Sequence, residues 1–192
     1  DSLGRGYYKG GVLRSGPMDF SGKNRISLQD LHHIMISIVF PDKVPAAQRF
    51  SISEEDRRFV LQYLSEWPTE SRFPPYSADT AAYPPAYSKF LLVGGDKGPA
   101  PADIRIFSKS GDAYGHMIDV AYIVDYKTKT EFFLSAVIYC NSDGILNDDK
   151  YDYDNVGYPF MKNLGKVIYD YELKREKKIR PDLSSFMFNY DK

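Results

Sequence analysis

Apolar residues recur along this chain with two different periods, and the change of period divides it. Between residues 28 and 64 the spacing is helical, between 104 and 140 it alternates, and from 160 onward it is helical again. Leu28, Leu31, Ile34, Met35 and Ile38 share one face of a 3.6-residue period, behind a Ser27-x-x-Asp30 start signal. That helix is expected to stop before Pro41, because the residue preceding a proline is driven out of the helical region. Ser53-Glu54-Glu55-Asp56 repeats the start signal and puts three carboxylates where a helix dipole favours them. Phe59, Val60, Tyr63 and Leu64 form the expected buried stripe of the second helix, which ends before Pro68. Residues 1–24 are Gly-rich and polar, so a loop with at most a short edge strand is expected there. Residues 68–101 are proline-rich and read as an extended surface loop, interrupted at 87–93 by a short helix or strand.

In the alternating region, Ile104-Arg105-Ile106-Phe107 opens one strand. Residues 117–126 form a second, with Ile118, Val120, Tyr122 and Val124 on one face and Asp119, Ala121, Ile123 and Asp125 on the other. Residues 126–130 are short and polar, as a hairpin turn should be. Residues 131–140 are nearly all apolar, which is how a strand covered on both faces reads. Asn141-Ser142-Asp143-Gly144 breaks the pattern. Pro159 suits a first helical turn, and Phe160, Leu164, Val167, Ile168 and Tyr171 then share one helical face. Lys174, Arg175, Lys177 and Lys178 suit the negative end of that helix, and Pro181 stops it. The expected fold is therefore α+β: an antiparallel sheet of three consecutive strands with helices packed on it, in a single domain spanning residues 1–192.

Between the first two strands lies Lys109-Ser110-Gly111-Asp112-Ala113-Tyr114-Gly115. On a strand, an ammonium and a hydroxyl side by side can hold a carboxylate, and glycine lets a ligand backbone lie against the strand edge. Lys109, Ser110, Gly111, Asp112 and Tyr114 are the candidate substrate-binding residues. The bland alternative is an exposed strand lysine beside ordinary strand residues.

On these residues the chain resembles the C-terminal part of a class A β-lactamase-like serine hydrolase, in the penicillin-binding-protein superfamily. The resemblance is carried by Lys109-Ser110-Gly111, Ala113-Tyr114-Gly115, the strand Asp119-Val120-Ala121-Tyr122-Ile123-Val124, and residues 131–139. Asn141-Ser142-Asp143-Gly144-Ile145-Leu146-Asn147-Asp148 and Tyr158-Pro159-Phe160 are similar to an uncharacterised bacterial branch of the family. The likeness covers roughly residues 20–186. It implies a β-lactamase/transpeptidase-like sheet with helices on both sides. It also implies an acyl-enzyme chemistry on β-lactams or D-alanyl peptides, with Lys109 and Ser110 orienting the substrate carboxylate. The family's nucleophile is a Ser-x-x-Lys, and no serine of this chain has a lysine three places on. The Ser-Asp-Asn triplet is missing too, and Pro68-Thr69-Glu70-Ser71, the nearest approach to a deacylating Glu loop, stands in the wrong place. The chain is accordingly expected to be the C-terminal fragment of a larger domain, inactive alone, with the missing N-terminal part as its partner. A non-catalytic, secreted or periplasmic module that binds peptide or glycan is the alternative.

Composition narrows this further. Twenty-five Lys and Arg against 26 Asp and Glu leave no basic footprint for nucleic acid. No apolar run reaches the length of a membrane span. The expected partner is a small molecule or peptide bearing a carboxylate. A single cysteine, Cys140, closes an apolar strand and reads as a buried packing thiol. No cofactor is implied and no metal site is expected. His32 and His33 are adjacent on a helix and diverge, and His116 has no partner at ligand spacing. The acidic stretch 141–154 fails the calcium-loop template at its first and last positions, Tyr139 and Lys150, and reads as solvated. Sixteen tyrosines, many expected in loops, fit an extracytoplasmic, peptide- or glycan-contacting protein.

Overall fold

The computed structural model describes residues 1–76 and 79–190. Four short strands come first: β1 (Ser2–Leu3), β2 (Gly6–Lys9), β3 (Val12–Ser15) and β4 (Met18–Asp19). This corrects the expectation of a loop with at most an edge strand. β2 and β3 form a hairpin over Gly10 and Gly11, whose φ angles of 59° and 75° only glycine adopts without cost. The Gly-Gly pair was the signal for it.

Helices α1 (Leu28–Val39) and α2 (Glu54–Ser65) follow. Both begin as the sequence indicates. The Ser27 hydroxyl accepts from the Asp30 amide at 2.9 Å, and Ser53 and Asp56 close a reciprocal capping box. The buried face of α2 is not the expected one: Phe59 and Tyr63 are 62% and 54% exposed and stack on each other at 4.7 Å. Leu61 and Ser65 are the buried positions, with Leu64 packed beside them. The helix carries two apolar stripes, and the one that includes a small residue is the one turned inward. The Ser65 hydroxyl is satisfied by the Leu61 carbonyl of its own helix at 2.8 Å.

The main sheet consists of β5 (Ile104–Ala113), β6 (His116–Asp125) and β7 (Thr130–Tyr139), antiparallel throughout and in that spatial order. A two-residue strand, β8 (Ile145–Leu146), pairs in parallel with β2. Helix α3 (Tyr158–Lys174) closes the chain's regular structure behind a π-turn at Tyr153–Gly157. Among the described residues this is an α+β fold with three sheets and three α-helices, as the class was expected.

Both β6 and the first part of β7 are covered on both faces: Phe132, Leu134 and Ala136 of β7 pack in one apolar cluster and Phe133 in the other, between α3 and α1. Met117, Ala121 and Ile123 of β6 enter one apolar cluster, and Val120, Tyr122 and Val124 enter the other. β7 is an edge strand, with Val137 45% and Tyr139 39% exposed. Face coverage follows the layers above and below the sheet: β7 is covered where α1 and α3 lie over it and opens to solvent only towards Tyr139. The first cluster joins α3 and the segment from Trp67 to Val93; the second joins α1, α2, Leu183 and Phe186. Each large apolar side chain buried this fully contributes about 1.5–3 kcal/mol.

On α3, Phe160, Val167 and Tyr171 are 39%, 64% and 60% exposed, so most of the expected face looks outward. Met161 and Gly165 are the buried positions, with Leu164 and Tyr169 packed against the cluster. Gly165 explains the rotation: a Cβ there would sit 2.3 Å from the Leu92 nitrogen. The helix approaches the chain at its glycine, a residue that apolar counting ignores.

The described residues of 68–101 hold no strand or α-helix, but they are not simply surface. Phe90, Leu91, Leu92 and Val93 are all at most 6% exposed. The expected helix or strand at 87–93 is a 3-10 turn at Pro85–Tyr87 followed by this buried, irregular run.

Candidate functional site

β5 is the other edge of the main sheet, and its second half lines a cleft of about 400 Å³. Lys109, Ser110, Gly111 and Asp112 form one wall. The wall opposite comes from Ser88, Lys89 and Phe90, with Tyr63 and Glu66 from the α2 side and Tyr158 from the start of α3. Ser110 ties the walls together, its hydroxyl donating to the Ser88 carbonyl at 2.7 Å.

The triplet is therefore at a sheet edge and beside a cleft, and the details qualify its chemistry. Lys109 is exposed, and its ammonium donates to the carbonyl of Ser110 at 2.7 Å. It enters none of the ion pairs among the described residues. A Cβ on Gly111 would meet nothing within 4 Å, so no neighbouring group in the fold demands glycine there. The open space lies along the strand that borders the cleft.

Asp112 lines the cleft, and burial against the protein raises its pKa above the ordinary carboxylate value. Tyr114 does not join them. It occupies the β5–β6 turn with φ 52°, and its hydroxyl accepts from the Lys23 ammonium at 3.0 Å. The Phe20 ring stands edge-on to it at 5.0 Å, so the N-terminal segment covers this tyrosine away from the cleft. Gly115 beside it is required for packing, since a Cβ would lie 2.7 Å from that of Asn141.

Two charged groups that the sequence did not single out stand on the opposite side, Lys89 in the wall and Asp119 behind it. Lys89 is 2% exposed, with its ammonium donating to the Leu64 carbonyl at 2.7 Å and lying 5.7 Å from the Trp67 ring centre. Burial pushes its pKa down to about 8; Arg105 adds to the shift, while Asp119, Glu70 and Glu66 oppose it. Asp119 of β6 is fully buried, and one carboxylate oxygen accepts from the Phe90 and Leu91 amides, both at 2.9 Å. Among the described residues its other oxygen has no hydrogen-bond partner, and neither has the buried Ser108 hydroxyl in the cleft wall. Burial pushes the Asp119 carboxyl pKa upward. A lone lysine ahead of an unbroken apolar run, Phe90-Leu91-Leu92-Val93, was the available hint that residue 89 would be taken inside.

The remaining candidates serve local structure. His32 Nδ1 meets the Ser135 hydroxyl at 2.7 Å, and His116 packs on Tyr139 at 4.8 Å. In the acidic stretch, Asp143 and Asp148 accept from the amides of Ile145 and Lys150, fixing their own turns, and Asp152 accepts from the Ser142 amide, tying the ends of the loop together. Among the described residues no group of three or more His, Cys, Asp or Glu side chains is placed to hold a metal ion. Cys140 is buried, and burial raises its thiol pKa. No helix of the described residues is long and apolar enough to cross a membrane. Compared with protein-family models, curated proteins and solved structures, the chain matches none of them.

Proposed function

We propose that this chain is the carboxylate-recognising part of a β-lactamase-like serine hydrolase, with the reactive serine supplied by polypeptide outside it. The reading rests on one observation above all: Lys109, Ser110 and an unobstructed Gly111 border the same cleft on a sheet edge. An ammonium bound only to a backbone carbonyl can turn to a ligand carboxylate, and Ser110 can exchange the Ser88 carbonyl for the same group. A ligand backbone would lie against Gly111 and meet the amides of the strand just beyond it, in the manner of an oxyanion hole. The substrate class is an ester or amide with a free carboxylate, of which β-lactams and D-alanyl peptides are the leading members. The setting that goes with such substrates is periplasmic or secreted. By this reading the chain alone binds and does not turn over.

The test is covalent labelling by a fluorescent penicillin of the chain extended by its upstream coding sequence. Labelling that is lost in Lys109→Ala supports the reading. An upstream sequence without Ser-x-x-Lys, together with no labelling, rejects it. A non-catalytic module binding peptide or glycan in the same cleft is the second reading. It is favoured by the lack of Ser-x-x-Lys in these 192 residues and by Tyr63, Tyr87 and Tyr158 around the cleft.

A further inference from the structure

The cleft is not simply electropositive. Two lysines line it, but so do two carboxylates, Glu66 and Asp112. Asp112 stands apart from the carboxylates that serve the fold. It caps no turn, and it forms none of the ion pairs among the described residues. It shares its side of β5 with Ser110, two residues away, a spacing of roughly 7 Å along a strand. Tyr158 lines the same cleft and feels the Asp112 charge, as Tyr153 does nearby. A carboxylate and a phenol ring lining one cleft can together receive an ammonium group, combining an ion pair with attraction to the ring face.

We infer that Asp112 and Tyr158 form an ammonium-binding pole of the cleft, complementary to the Lys109–Ser110 pole, so that the preferred ligand is a short zwitterionic peptide. The inference rests on the reading of Lys109 and Ser110 as a carboxylate site and adds what lies at the other end of the ligand. Two extended residues span at most about 7 Å, so the Ser110–Asp112 spacing along β5 fits a dipeptide with both termini free, its carboxylate at Ser110 within reach of the Lys109 side chain from the strand edge. Asp112 is exposed and so open to a ligand, and a bound cation would relieve a carboxylate whose ionised form the protein surroundings disfavour.

The experiment is calorimetric or NMR-detected titration of this chain with three probes. They are D-alanyl-D-alanine, its N-acetyl derivative, which lacks the ammonium, and alaninamide, which lacks the carboxylate. The free dipeptide is expected to bind about fivefold more tightly than the acetylated one, the size of a partly screened ion pair. In Asp112→Asn that ratio falls to about one. Alaninamide binding, weak in the wild type, disappears in the same variant. Equal affinity of the wild type for both dipeptides overturns the ammonium pole and leaves the carboxylate reading standing. Binding of alaninamide, lost in Asp112→Asn, with neither dipeptide bound, keeps the pole and overturns the carboxylate site. Failure of all three probes to bind overturns both.

Discussion

The two walls of the cleft use the same residue types in opposite ways. On β5, Lys109 is exposed and bound to its neighbour's carbonyl, and Gly111 faces open space. Across from it, Lys89 is 2% exposed and anchored to the end of α2, while Asp119 behind it is fully buried on two backbone amides. A buried charge cannot change partners without leaving a desolvated group unmatched, which costs far more than an exposed exchange. The β5 wall can trade its internal bonds for a ligand's; the opposite wall cannot. A lysine's burial, not its identity, thus separates the wall that is free to meet a ligand from the frame that holds it.

The sharpest way to break this contrast is at Asp119. Truncation by Asp119→Ala would leave the Phe90 and Leu91 amides unpaired inside the apolar cluster, and should cost roughly 3–4 kcal/mol of stability. Asp119→Asn retains an acceptor for the amides and should cost less than half as much. Urea denaturation midpoints at constant slope measure both. If Asp119→Ala proves as stable as the wild type, the opposite wall is not a structural frame.

Lys89 gives the contrast a pH dependence. Its pKa is about 8 in the folded protein against an ordinary 10.5 for an exposed lysine, so above pH 8 the unfolded chain binds the extra proton. Stability attributable to this group therefore rises with pH, by about 2 kcal/mol between pH 7.5 and 9.5. The raised thiol of Cys140 and the raised phenols of Tyr122 and Tyr126 act in the opposite sense at higher pH. The readout is consequently the difference between wild type and Lys89→Met, whose stability curve should lack this rise. Parallel curves would mean that Lys89 is not desolvated.

Lys109 should behave otherwise. Lys109→Met is expected to leave stability within about 0.5 kcal/mol, as at most exposed sites, while weakening carboxylate binding about tenfold. Titration with N-acetyl-D-alanyl-D-alanine checks the second effect. Loss of stability without loss of binding would invert the assignment of the two walls.

What the sequence revealed follows the same division. The three strands of the main sheet, their antiparallel order and both helix caps were legible, because they depend on local signals: alternation, polar turns, and Ser27 or Ser53 ahead of a helix. The Lys109–Asp112 segment was legible as one candidate unit because it is contiguous, and its four residues do line one cleft. The inward faces of α2 and α3 were misread, since Ser65 and Gly165 reach the core by being small, and hydrophobicity does not score smallness. Tyr114 was misplaced because its partners, Phe20 and Lys23, lie some ninety residues earlier. Lys89 and Asp119 were overlooked for a similar reason. What sets them apart is a long-range burial that no window of sequence contains.

The finest test concerns Gly111. Glycine in a strand interior is a loss for stability, since it is the residue most free in the unfolded chain. It is normally retained where φ is positive or where a side chain would collide. Neither reason holds: Gly111 is not among the positive-φ residues, and a Cβ there would meet nothing within 4 Å. Gly111→Ala should therefore stabilise the fold slightly, by about 0.5 kcal/mol. If the strand is bare because a ligand lies against it, the same substitution should weaken N-acetyl-D-alanyl-D-alanine binding, since the methyl group fills the approach. Stability and binding then move in opposite directions at one residue, which no purely structural role for Gly111 would produce. A variant both more stable and equally able to bind would show that the cleft's ligand, whatever it is, passes elsewhere.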